Sequence, residues 1–213
     1  MLEKLTPEQE AKFPAYVKKW ATIGNSIVDD ALYTDEIIGL IKDAVVAMYK
    51  ESGKNIKPEN VLISSSPIMS PFIAAAHVVG KKGKPKKPVK SKLPNMGAVE
   101  DYLNTFTNPR EIINNSDKFP QLRYWCSIDA GFRAYVDFFM NETDLGKNEL
   151  KKFEDINKKM ANEITHLCYD MLISENFCVV SKKPIYQDLD MSGDYPVAKK
   201  GLIKWADGTQ VQY

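Results

Sequence analysis

Residues 148–190 read NELKKFEDINKKMANEITHLCYDMLISENFCVVSKKPIYQDLD, and the spacing of their apolar residues changes partway along. Leu150, Phe153, Ile156, Met160, Ile164, Leu167 and Met171 recur every three or four positions, with Leu172 beside the last. That is the period of a helix with one buried face, and it predicts a helix over 148–174. Around Glu175 the period becomes extended, and FCVVSKKPIYQDLD reads as β structure. Further on, GLIKWADGTQVQY (201–213) alternates around Asp207-Gly208, a type I′ turn pair, and reads as a hairpin. Runs of helix followed by runs of strand make the class α+β, predominantly helical. The expected layout is a helical body over 1–175 and a small antiparallel β-hairpin region over 176–213, together forming one domain.

Working back along the chain, Thr6, Pro7 and Gln9 form a capping-box start with proline at the first helical position. Pro14 then kinks or restarts that helix, which runs on to Gly24. From Thr34, the residues Ile37, Ile38, Leu40, Ile41, Ala44, Val45, Met48 and Tyr49 give a wide apolar face, and Gly53 supplies a stop. NVLISSS (60–66) reads as a short strand, and SPFIAAAHVVG (70–80) as a small-residue helix capped by Ser70. GAVEDYLNTF (97–106) is a weak helical stretch, and QLRYWCSIDAGFRAYVDFFMNE (121–142) a strong one.

At 213 residues, with 44% hydrophobic and 27% charged residues, the chain has the make-up of a globular protein. No apolar run approaches the roughly 18–20 residues that span a bilayer. The start, MLEKLTPEQE, has acids and no apolar core, so no secretory signal is expected there. Three cysteines and two histidines supply neither an even disulfide set nor a zinc cluster, which suits buried thiols in the cytoplasm. No motif implies a cofactor.

Several of these segments resemble an uncharacterised domain of unknown function scattered through bacterial and phage proteins. The matching residues are Leu5 to Gln9 with Trp20 and Gly24, Ser66-Pro67, and Asp137-Phe138-Phe139. They continue with Cys178-Val179-Val180-Ser181 followed by Pro184, and with Asp207-Gly208. Members of that family carry histidines and an Asn-Glu-Asp-Gly-Pro stretch in the tail. This chain has Tyr186 and GDYPVAKKG (193–201) there instead, and the resemblance implies no activity.

The most uneven feature is KKGKPKKPVKSK (81–92). Its lysines Lys81, Lys82, Lys84, Lys86, Lys87, Lys90 and Lys92 leave 22 basic against 28 acidic residues elsewhere, an acidic body with a basic loop over 80–93. Such a loop can track a phosphate backbone without reading bases, or serve as a solvated surface segment. Asp129, Arg133 and Asp137 lie four apart on one predicted helix face, an arrangement that binds charged substrates or forms a salt-bridge ladder. His77 is a further weak catalytic candidate, and both it and His166 suit packed positions. Asp188, Asp190 and Ser192 in DLDMSGD match the first half of a calcium loop, but Lys199 stands where its last acid belongs, which favours a turn. SSSPIMS (64–70) offers serines before a helix, an arrangement suited to an anion or to a capped loop.

These features favour a non-enzymatic interaction protein that contacts nucleic acid or a protein assembly through Lys81–Lys92. An enzyme using the Asp129, Arg133 and Asp137 face, and a structural or virion-associated component, are the alternatives. Oligomeric state is left open.

Overall fold

The computed structural model describes residues 4–78, 122–144, 151, 154–189 and 200–212. The loop at 80–93, the stretch 97–106, and Asp190 and Ser192 lie outside the described residues. The fold is α+β and helix-dominated, with a small antiparallel sheet near the C-terminus.

Helix α1 spans Pro7–Gly24 and starts with the expected capping box: Thr6 Oγ1 accepts from the Gln9 amide, and Gln9 Oε1 accepts from the Thr6 amide. Pro14 sits inside one uninterrupted helix. Helix α2 (Asp35–Glu51) is capped by Thr34 and buries Ile41, Ala44, Val45 and Tyr49. Helix α3 (Ser70–Val78) follows a turn in which Ser66 Oγ accepts from the Met69 amide, so Ser66 does capping work expected of Ser70. Helix α4 spans Cys126–Glu142. Helix α5 (Glu154–Lys159) runs on into a π-helical segment, Met160–Thr165.

Helices α1 and α4 are antiparallel. Near the start of α1, Gln9, Lys12 and Tyr16 bond to Glu142 at the end of α4, whereas Lys19 and Trp20 bond to Asp137, a turn earlier. The rings of Phe13 and Tyr16 make T-shaped contacts with Phe138 at 5.2 and 5.6 Å, and Trp20 packs on Ala130 and Ala134.

Four strands form a mixed sheet in the order β1-β4-β3-β2, from β1 (Val61–Ser64), β2 (Leu122–Trp125), β3 (Cys168–Ile173) and β4 (Cys178–Lys182). β1 pairs parallel to β4, and the other pairs are antiparallel. One face packs on α2 and the π segment through Val61, Met171, Cys178 and Val180. The other takes α3 through Leu172, Phe177 and Val179. The second sheet, β5 (Tyr186–Leu189), β6 (Gly201–Lys204) and β7 (Gln210–Gln212), is an antiparallel meander. Its Ile203 and Trp205 pack on Ile68, and Trp205 meets the edge of Tyr169 at 5.4 Å. The hairpin turn falls at the expected place but is not type I′: Gly208 takes φ 82° while Asp207 keeps negative φ, and the Gly208 amide donates to the Trp205 carbonyl. A Cβ on Gly201 would lie 2.3 Å from the Asp188 carbonyl oxygen.

Two stretches expected to be helical are strands. Residues 168–173 form β3, and 122–125 form β2 ahead of α4. β3 is buried on both faces, so its apolar residues do not alternate, and such a run satisfies helical spacing as readily as extended spacing. A tight turn settles it, with the Ser174 amide donating to the Phe177 carbonyl, and Tyr49 Oη donates to both of those residues' carbonyls.

Cys126, Cys168 and Cys178 are all buried free thiols. Burial pushes the Cys168 and Cys178 thiols far up, away from the reactive thiolate. The folded chain is therefore expected to leave a thiol-exchange reagent unconsumed, and to react fully once unfolded. Rapid modification of a native thiol would contradict this burial. Among the described residues no helix is long and apolar enough to cross a membrane.

Candidate functional site

Helices α1, α4 and the α5–π segment enclose a cleft of about 810 Å³. On α4, Arg133, Val136, Asp137, Met140 and Asn141 recur at helical spacing and so share the face turned to it. α1 contributes Lys19, Trp20 and Ile23. The third wall carries Asn157, Lys158, Ala161 and Asn162, with His166 at its far end. The π segment helps to build that wall. Asn157 and Lys158 in α5 and Ala161 and Asn162 in the π segment lie four apart in pairs and so face the same cleft. Thr165 Oγ1 donates to the Met160 carbonyl across the π segment.

Among the described residues, four cationic side chains, Lys19, Arg133, Lys151 and Lys158, line the cleft beside two acids, Asp137 and Glu154. Each acid is paired with a lysine, Asp137 with Lys19 at 2.7 Å and Glu154 with Lys158 at 2.6 Å. Asp137 also accepts from the Trp20 indole and the Asn141 amide. The Lys158 hydrogen bond holds the Glu154 carboxyl below its ordinary range. Arg133 is only 7% exposed, and its Nη1 donates to Asn157 Oδ1 at 3.1 Å. Burial, then the Lys183 and Lys19 charges, depress the His166 imidazole, which keeps it neutral at pH 7. A buried guanidinium, an excess of cations and a neutral imidazole form a surface that attracts an anion.

Two of the candidates read from sequence, Arg133 and Asp137, therefore line one cleft. Asp129 belongs to α4, and its side chain lies outside the described residues. His77 is not in the cleft. It sits on α3, across the sheet from the π segment, with its ring 4.6 Å from Phe177. Asp188 is exposed in β5 rather than in a turn, while Asp190, Ser192 and Lys81 to Lys92 lie outside the described residues. Among the described residues no three His, Cys, Asp or Glu come together as a metal site. Sequence reading missed Lys19, Lys158 and the asparagines. Each is an ordinary helix-surface residue until three helices converge.

The serines of 64–66 meet an internal anion. Ser65 Oγ donates to Asp207 Oδ2 at 2.6 Å and Ser66 Oγ at 2.9 Å, while the Thr209 amide and hydroxyl bond the other oxygen. Burial pushes the Asp207 carboxyl up, but the bonds from Ser65, Thr209 and Ser66 outweigh it and hold the group below its ordinary value. A depressed carboxyl contributes stability above the unfolded value, and that contribution fades as pH falls through the lower folded one. Asp207→Ala is expected to cost about 2 kcal/mol at pH 7 and much less in acid. An equal cost at both pH values, read by denaturant unfolding, would contradict the latch.

Comparison with protein-family models, with curated proteins and with solved structures gives no match to this chain.

Proposed function

We propose that this chain is a non-enzymatic binding module that holds a phosphate-bearing anion in the cleft between α1, α4 and α5. One observation carries this: the nearly buried Arg133 guanidinium lies in a cleft where, among the described residues, cationic side chains outnumber acids four to two. Binding rather than turnover is favoured because Asp137, the acid nearest to a catalytic role, is already held by Lys19, Trp20 and Asn141. Calorimetric titration of the full chain with pyrophosphate tests it. Binding is expected at low salt, weakening as salt rises. Reversing the charges at Lys151 and Lys158, both exposed, is expected to weaken it by about tenfold or more. No heat at low salt, or equal affinity in the reversed variant, would remove the proposal.

The lysine-rich run over 81–92 supports a second reading, contact with nucleic acid, because it gathers seven cations and no acid. Deleting the run should abolish the mobility shift of a DNA duplex at low salt if that reading holds.

A further inference from the structure

The same cleft carries more than charge. The apolar side chains of Ile23, Val136, Met140 and Ala161 line it. A bare phosphate or pyrophosphate has no surface to set against them. Amides stand beside that apolar lining. Asn157 Oδ1 is taken by Arg133, which turns its Nδ2 donors to other partners. Asn141 spends its Nδ2 on the Asp137 carbonyl and carboxylate, which leaves its Oδ1 to accept. Asn162 lines the cleft and has no hydrogen-bond partner among the described residues, so it offers both donors and an acceptor. Charge is graded across the site. Arg133 is nearly buried, while the lysine heads stand at the edge, with side chains 55% exposed at Lys19 and 65% at Lys158.

A complementary ligand has an apolar body with donors and acceptors along its edge, joined to an anionic group. It must also fit a volume of about 810 Å³, which lies within the roughly 300–1,000 Å³ typical of small-molecule sites. We infer that the cleft takes a nucleoside phosphate. The base lies against the apolar lining with its edge on Asn157 and Asn162, and the phosphates reach Arg133, Lys151 and Lys158. This inference rests on the anion reading of the same cleft. Sugar phosphates fit less well, because their hydroxyl-covered faces would have to be stripped of water against Ile23, Val136 and Met140.

The test is calorimetric titration of the full chain with ADP, GDP, CDP and UDP, beside pyrophosphate, ribose 5-phosphate and a short single-stranded oligonucleotide. At least one nucleoside diphosphate is expected to bind about tenfold or more tightly than pyrophosphate and than ribose 5-phosphate. Asn162→Ala, an exposed change, is expected to bring the nucleotide-to-pyrophosphate ratio close to one. Lys151→Glu should weaken nucleotide and pyrophosphate alike. If pyrophosphate binds and no nucleotide binds more tightly, the nucleotide assignment fails and the anion reading stands. If neither pyrophosphate nor any nucleotide binds, both fail. An oligonucleotide that binds where the diphosphates do not would also overturn the inference.

Discussion

Phe138→Ala is expected to destabilise the chain by about 4 kcal/mol, the range for removing a fully buried phenylalanine from a packed core. Phe138 is 1% exposed, and its ring makes T-shaped contacts with those of Phe13, Tyr16 and Phe139 within 5.6 Å. Two of those rings belong to α1, so the substitution removes the centre of the α1–α4 contact. The polar bonds flanking it, Lys12 to Glu142 and Lys19 to Asp137, involve lysines more than half exposed. Exposed pairs of that kind contribute at most about 1 kcal/mol each and cannot replace the lost ring. Because α1 and α4 form two walls of the cleft, affinity for the anion should fall with stability. Phe138→Leu keeps most of the volume and should lose less than about 1.5 kcal/mol. A Phe138→Ala loss below about 1 kcal/mol in denaturant unfolding would show that α1 is held some other way.

Lys183→Met is expected to cost about 3 kcal/mol at pH 7, mainly by leaving buried oxygens without donors. Lys183 is 2% exposed, and its Nζ donates to the carbonyls of Ile23 at 2.6 Å and Gly24 at 2.9 Å, and to Ser26 Oγ at 3.2 Å. Those carbonyls end α1, where a cation also answers the helix dipole. The residue thereby ties β4 and the link to β5 onto the helix that supplies Trp20 and Ile23 to the cleft. Burial pushes the ammonium down to about 8 from 10.5. Between those values the unfolded chain keeps a proton that the folded chain has released, so stability from this group rises with pH across the window. The rise amounts to roughly 3 kcal/mol in the parent and should be missing in Lys183→Met. Tyr33 and Tyr49 act oppositely above their ordinary value of 10, because burial keeps their hydroxyls protonated in the folded state. The comparison between parent and variant removes that shared fall. Identical pH profiles for the two proteins would contradict the assignment.

The parts of the fold set by local chemistry were legible in the sequence. The Thr6 capping box, the apolar face of α2, the stop at Gly53 and the Asp207-Gly208 turn depend on residues within a few positions of one another, and each formed where expected, although the turn is not type I′ because only Gly208 takes positive φ. The four-stranded sheet was not legible, because it brings 61–64 beside 178–182, and 122–125 beside 168–173. Nothing local marks such pairings. β3 was hidden further by being apolar on both faces, directly after a helix of similar spacing. The cleft divides the same way. Arg133 and Asp137 stood out because they share one helix, whereas Lys19, Asn157 and His166 come from two others. Asp207 was read as half of a turn. Its carboxylate also fills the serine cluster that had looked open to an external anion.

The most direct test of the cleft is the proton–nitrogen spectrum of the tryptophan indoles as pyrophosphate is added to the full chain. The Trp20 indole donates to Asp137 at the cleft, while Trp205 is buried in the C-terminal sheet. A saturable shift of the Trp20 resonance with Trp205 unmoved is the predicted result. An unmoved Trp20 resonance under conditions where pyrophosphate binds would place the anion elsewhere on the chain and contradict the account.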